Sequence, residues 1–309
     1  MKILLFTIMF LFSCGNEVVE CAFKGCPSKR NPVPEVGITA EQIVQLKDLE
    51  AAITWAPKCA AGIACEEDSD GDAMLWAGLL CSVGYSEQCT AVKLSQRSDG
   101  RLCRSPARCN QETNAFSRDM LLGKLASLTV TKDTESAKSL VSYLKNNGYK
   151  LCPLATDNRC DLEPVKSSAI WGTMKRVWQY LGLQPTSEME FGDISDNKII
   201  NLESQFAISN GYQLHLVAIE LYTRQQMGVF TQDLQQAADN ILARQPNNPF
   251  YEYVARGKTN RAAQLVLDKC PKERPERAVQ WSWQRDEKEQ AWKQSMGWEC
   301  LFMIKVLTK

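Results

Sequence analysis

Cysteine spacing is the feature that most constrains how this 309-residue chain folds. The chain has thirteen cysteines, and all but Cys14 occur as neighbours in sequence. The neighbouring pairs are Cys21 and Cys26, Cys59 and Cys65, Cys81 and Cys89, Cys103 and Cys109, Cys152 and Cys160, and Cys270 and Cys300. Bridges between neighbours are the simplest interpretation in an oxidising compartment, although the connectivity stays open at this stage. Short bridged loops remove little chain entropy, so we expect these disulfides to hold loops between helices more than the fold as a whole.

A metal cluster is the alternative use of so many cysteines. Zinc sites in small folds combine closely spaced cysteines with further Cys or His ligands. This chain contains no C-x-x-C, and His215 is its only histidine. The cysteine pattern therefore predicts disulfides. Disulfides in turn predict export to an oxidising compartment.

The N-terminus carries an export signal. Lys2 supplies a positive charge, and residues 3–12 form a run that is apolar except for Thr7. The run is too short to span a bilayer as a helix, but it suits the apolar core of a secretory signal.

The run ends in LFSCG, residues 11–15, which resembles the lipobox of bacterial lipoproteins. Leu11 and Ser13 match that pattern, whereas Phe12 is bulkier than the small residue usual at its position. The resemblance implies cleavage before Cys14, diacylglycerol on its sulfur and a further acyl chain (palmitate) on the new N-terminus. Two or more acyl chains anchor a protein stably in a membrane. The alternative is an ordinary cleaved signal with an unrelated cysteine beside it.

Charge and motifs exclude some classes of function. Lys plus Arg and Asp plus Glu number 36 each, so the formal net charge is zero, which argues against a nucleic-acid-binding protein. The sequence has no P-loop and no G-x-G-x-x-G, which disfavours nucleotide-dependent chemistry. We expect a signal peptide over residues 1–13, a polar membrane tether over 14–37 and a single helical domain over 38–309.

Apolar residues recur at helical spacing along most of that domain, and no stretch alternates convincingly as a strand. Thr39 and Gln42 form a capping-box pattern before the first helix, and Asn147-Gly148 marks a helix C-terminus. The pattern predicts an all-α fold of packed helical hairpins with local disulfides in the loops. The helix succession, the tryptophan content and an acidic loop before a helix weakly resemble helical-toroid carbohydrate-active proteins. An (α/α) toroid is therefore one possible arrangement.

The densest polar region lies between Glu66 and Asp119. Its acidic loop places Asp68, Asp70 and Asp72 at alternating positions, which could ligate calcium, although the spacing is not that of an EF-hand. Alternatively, Asp70 or Asp72 could act with Asp119 as catalytic general acid and base on a glycosidic bond. In the structural interpretation, Asp72 caps a helix and the other acids are solvated.

Arginine and tryptophan side chains supply candidate ligand contacts. Arg101, Arg104 and Arg118 suit an anionic group such as a uronate or a phosphate, or else they pair structurally with nearby acids. Tryptophan faces stack on sugar rings, but tryptophan is as readily a core residue. The candidate ligand-binding tryptophans are Trp76, Trp281 and Trp283. His215 lies in a strongly apolar helix, and we expect it to be buried.

These observations favour an envelope-anchored lipoprotein whose helical domain binds a ligand without catalysis. One alternative is a glycan-cleaving enzyme of the glycoside hydrolase type that uses the paired aspartates. Another is an assembly or protein-interaction lipoprotein. The expected partners are the membrane, through the N-terminal lipid, and a glycan or an envelope protein. The expected location is the bacterial cell envelope and periplasm, at the outer membrane if the cell is Gram-negative.

Overall fold

Helices make up the regular structure of the residues that the structure describes. The computed structural model describes residues 37–59, 62–65, 70–111, 116–151, 169–184, 196–207, 211–274 and 296–309. Within those ranges there are twelve α-helices, one short 3₁₀ helix and no β-strand. The α-helices are α1 Ala40–Ala52, α2 Ala73–Ser82, α3 Ser86–Leu94, α4 Arg118–Thr131, α5 Thr134–Asn146, α6 Ala169–Tyr180, α7 Asp196–Phe206, α8 Tyr212–Gln226, α9 Gln232–Arg244, α10 Pro249–Arg256, α11 Asn260–Lys269 and α12 Met296–Thr308; the 3₁₀ helix is Pro106–Arg108. The all-α prediction is confirmed, and closure into a toroid stays a prediction.

All of the described residues belong to one compact unit that runs from Val36 to Lys309. The predicted signal peptide and residues 14–36 of the predicted tether lie outside the described residues. None of the described helices is both long enough and apolar enough to cross a membrane.

Local capping explains where several helices begin and end. The Thr39 hydroxyl accepts a hydrogen bond from the Gln42 backbone N–H at 3.1 Å, and the Gln42 side-chain oxygen accepts one from the Thr39 N–H at 3.2 Å. This is the predicted capping box at the start of α1. After α5 the chain turns through Gly148, whose φ of +60° is the left-handed conformation that glycine adopts without strain. Both predicted helix boundaries are confirmed.

The most deeply buried helix is α2, in which every residue is buried. It packs against α3, α4 and α12. Its contact with α4 is backbone to backbone, because a Cβ atom on Gly78 would lie 2.0 Å from the carbonyl oxygen of Gly123. These two glycines therefore allow α2 and α4 to approach more closely than larger residues would permit.

Within the described residues, four disulfides join neighbouring cysteines, as predicted. They are Cys59–Cys65, Cys81–Cys89, Cys103–Cys109 and Cys270–Cys300. The first and third close loops, but the second links α2 to α3 and the fourth links the end of α11 to α12. The second bridge also spans the short loop between α2 and α3, so the prediction of local disulfides in the loops is confirmed. The remaining predicted bridges fall on residues outside the described ranges: Cys21, Cys26, Cys152 and Cys160.

Candidate functional site

The N-terminal ends of α2 and α4 bring Asp72 and Asp119 close enough to repel each other. Asp72 occupies the N-cap position of α2, but its side chain makes no capping hydrogen bond. Asp119 lies in the first turn of α4. Gly78 and Gly123 fix the contact between the two helices a short distance further along, so the two carboxyl groups are held at neighbouring helix ends.

The pKa of Asp119 is raised to about 6. Burial of the carboxyl group is the largest cause, and the negative charge of Asp72 adds to it. The charges of Arg118 and Arg104 and a hydrogen bond from the Asp119 backbone N–H act in the opposite direction without outweighing burial. An acid with such a pKa holds a proton at mildly acidic pH, so Asp119 can donate a proton or a hydrogen bond to a ligand. We refer to Asp72, Asp119, Arg104 and Arg118 as the Asp72–Asp119 site.

Asp70 has a different environment. Its carboxylate accepts hydrogen bonds from the Ser105 hydroxyl at 2.6 Å and from Arg108 Nε at 2.9 Å, and Arg108 Nη2 lies 2.8 Å from its other oxygen. Burial on its own raises the pKa of Asp70, but these hydrogen bonds and the charge of Arg108 outweigh it, so the pKa is lowered. Asp70 is therefore an ionised and structurally paired residue. Of the two predicted carboxylate pairs, Asp72 with Asp119 is the one with electrostatic contact.

The three candidate arginines take different roles. The Arg104 guanidinium donates to the Gly71 carbonyl oxygen, and its charge acts on Asp119. Arg118 directly precedes Asp119 and is exposed. Arg101 is buried, and its Nη2 donates to a backbone carbonyl oxygen of the disulfide-closed loop at 2.9 Å. Arg104 and Arg118 therefore lie at the site, whereas Arg101 holds a loop in place.

Trp76 is completely buried in α2, and its ring stacks near His215 with centroids 6.1 Å apart. A ring with no exposed face cannot stack on a sugar at the surface, so Trp76 is a core residue and not the predicted sugar platform. His215 is also buried, as predicted, and burial lowers its pKa well below the usual range. Trp281 and Trp283 lie outside the described residues.

The predicted calcium and lipid sites depend in part on Asp68 and Cys14, which lie outside the described residues. Asp70, the second expected calcium ligand, has both carboxylate oxygens engaged by Ser105 and Arg108. In the part of the chain that the structure describes, no group of three or more His, Cys, Asp or Glu side chains is arranged to hold a metal ion. A calcium loop that includes Asp68 stays a prediction.

A buried lysine on α4 is a feature that sequence reasoning missed. Lys124 Nζ donates to the Ser136 hydroxyl at 2.6 Å, and that hydroxyl donates to the side-chain oxygen of Gln96. Burial lowers the pKa of Lys124 to about 8, against the opposing charge of Asp133. A lysine within a helix usually marks an exposed face, and only the apolar residues on either side of it, in MLLGKLASL, indicated burial. The cluster ties α4 to the start of α5, so we assign it to structure.

Comparison with known proteins returned no match, whether to a protein-family model, a curated protein or a solved structure. The Asp72–Asp119 site is the candidate functional site of the chain, because it combines burial, like charge and a perturbed pKa.

Proposed function

We propose that this chain is an exported, lipid-anchored protein of the bacterial envelope whose helical domain binds a glycan at the Asp72–Asp119 site. The observation that carries the binding proposal is the environment of Asp119. Its carboxyl group is partly buried, is repelled by the negative charge of Asp72 and has a pKa raised to about 6. Strongly perturbed carboxyl groups are concentrated at functional sites, where selection retains them in spite of their cost in stability.

A glycan suits the hydrogen-bonding groups at this site. The carboxylates of Asp72 and Asp119 accept hydrogen bonds from sugar hydroxyls, and a protonated Asp119 also donates one. The guanidinium groups of Arg104 and Arg118 add donors, which can bind the carboxylate of a uronic acid in bidentate geometry. The site thus offers both the donors and the acceptors that a polyhydroxylated ligand needs.

The export part of the proposal has two supports. The four described disulfides are of a kind that persists in oxidising compartments. Residues 11–15 resemble a lipobox with Cys14 as the lipidated residue. Intact-mass measurement of protein extracted from membranes tests this part, and we expect an N-terminus at Cys14 that carries acyl chains. An unacylated N-terminus, or cleavage at any site other than before Cys14, contradicts it.

Binding is tested with the mature chain carrying Cys14→Ser, on immobilised neutral and uronate-containing glycans. We expect at least one glycan to bind, and Asp119→Asn and Arg104→Gln to weaken that binding about tenfold or more. The matched control is Asp48→Asn, which alters an exposed aspartate on α1 and is expected to bind as the parent does. Absence of binding to every glycan, or equal binding by all variants, contradicts the proposal.

Hydrolysis of the glycan is the second candidate function, and the raised pKa of Asp119 is the observation that favours it. A protonated Asp119 can act as general acid while the Asp72 carboxylate acts as general base or nucleophile. Reducing-sugar release from the same glycans separates the two functions. Release by the parent that is lost in folded Asp72→Asn and Asp119→Asn variants establishes a hydrolase, whereas binding without release leaves a binding protein.

A further inference from the structure

Two short segments that border the Asp72–Asp119 site are tied together by one carboxylate. Residues 70–72 lead into α2, and residues 104–108 lie within the loop closed by the Cys103–Cys109 disulfide. The Asp70 carboxylate accepts a hydrogen bond of 2.6 Å from Ser105 and contacts Arg108 at 2.9 and 2.8 Å. We call these contacts the Asp70 clamp.

The residues of the Asp70 clamp are close in sequence to two residues of the Asp72–Asp119 site. Asp72 lies two residues after Asp70, and Arg104 directly precedes Ser105. The Arg104 guanidinium reinforces the connection by donating to the carbonyl oxygen of Gly71. Both neighbours act on Asp119, because the charge of Asp72 raises its pKa and the charge of Arg104 lowers it.

We infer that Asp70 is a positioning residue, which sets where Asp72 and Arg104 stand relative to Asp119 and thereby sets the affinity of the site. The part of this inference that concerns affinity rests on the proposed function. The disulfide constrains the 104–108 segment at its two ends, and the clamp attaches Ser105 and Arg108 to the residues that lead into α2. Bidentate pairing of a carboxylate with arginine gives directional as well as energetic restraint, which suits this role.

The test is a nuclear magnetic resonance titration of the Asp119 carboxyl group in the mature chain and in Asp70→Asn. The matched control, Asp239→Asn, removes the carboxylate of a different ion pair, Asp239–Arg256, which joins α9 to α10. We expect the pKa of Asp119 to fall by about one unit in Asp70→Asn and to stay unchanged in the control. It falls because a loosened segment hydrates the carboxyl group and moves Asp72 away, and these are the two main causes that raise its pKa. If the ion pair of Asp70 is only structural, Asp70→Asn will lower the thermal stability, as Asp239→Asn does, and will leave the pKa of Asp119 unchanged.

Glycan affinity is measured on the same proteins, and we expect a loss of about tenfold in Asp70→Asn. An unchanged pKa of Asp119 in folded Asp70→Asn overturns the positioning role. A shifted pKa with no glycan bound by any form supports the positioning role and overturns the proposed function.

If Asp70→Asn fails to fold, Ser105→Ala removes one clamp contact and should move the pKa of Asp119 in the same direction by a smaller amount. An unmoved titration in Ser105→Ala then overturns the inference.

Discussion

Gly78 on α2 meets Gly123 on α4 so closely that a Cβ atom on Gly78 would lie 2.0 Å from the Gly123 carbonyl oxygen. In the reverse direction, a Cβ atom on Gly123 would lie 2.5 Å from the carbonyl oxygen of Met74. The contact sets how the two helices align and therefore which residues meet at their N-terminal ends. Asp72 and Asp119 each lie between one and two helical turns before these glycines.

Gly78→Ala is expected to lower the free energy of unfolding by about 1–3 kcal/mol, because the new methyl group must push two backbones apart. Urea unfolding measures the change. Gly37→Ala is the matched control, since a Cβ atom at Gly37 would have no heavy atom within 4 Å. Equal stability of the two variants would contradict the close packing of α2 on α4.

The helix boundaries and the disulfides follow from local sequence, which is why they were predictable. The capping box of Thr39 with Gln42 and the turn at Gly148 involve residues a few positions apart, and neighbouring cysteines can reach each other whatever the fold. The meeting of Asp72 with Asp119 depends instead on which helices pack together and in what alignment. Nothing in a single sequence specifies that α2 lies on α4.

Burial was harder to predict for polar and aromatic side chains than for aliphatic ones. Lys124 is buried where its ammonium group contacts Ser136 of α5, yet a lysine in a helix is usually assigned to the solvent side. Trp76 fits equally well in a core or on a sugar-binding surface, and only its complete burial decides between them. The role of Asp70 was likewise ambiguous from the sequence. The hydrogen bonds that its carboxylate accepts from Ser105 and Arg108 show that it is structurally paired.

Lys124→Met is expected to stabilise the protein at pH 7 by about 1–3 kcal/mol. Burial lowers the pKa of Lys124 from 10.5 to about 8, so the folded state disfavours the bound proton at neutral pH. In the parent, stability contributed by this group should rise as the pH increases from about 8 towards 10.5, and the variant should lack that rise. Urea unfolding at pH 7 and pH 10 measures both effects. Lys47→Met, at an exposed position on α1, is the control, and a destabilised Lys124→Met at pH 7 would contradict the expectation.

Removal of the Cys270–Cys300 bridge should destabilise the protein more than removal of the Cys59–Cys65 bridge. The first closes a sequence separation of 30 residues and the second a separation of 6, so the first restricts the unfolded chain more. The difference in unfolding free energy should be about 1.4 kcal/mol between the two double Cys→Ser variants. Denaturant unfolding of both under non-reducing conditions measures it, and a larger loss from the shorter loop would show that native contacts dominate instead.

Asp119→Asn is expected to remove a pH dependence from the stability of the parent. The folded-state pKa of Asp119 is raised from 3.8 to about 6, so the stability associated with this group is fully present below about pH 4 and is lost as the pH rises through about 6. Relative to the variant, the free energy of unfolding of the parent should fall by about 1–3 kcal/mol between pH 4 and pH 7. Parallel stability curves for the two proteins over that range would contradict the buried, repelled state of Asp119.

The most direct test of the ligand site is thermal unfolding of the parent and of Asp119→Asn at pH 7 across the glycan panel. Without glycan, the variant should unfold at a higher temperature than the parent, because it no longer buries a charge beside Asp72. With a bound glycan, the parent should gain more stability than the variant at the same glycan concentration, since a ligand stabilises the folded state in proportion to how tightly it binds. A variant that unfolds at a lower temperature, together with a parent that no glycan stabilises, would contradict the account and make Asp119 a structural residue.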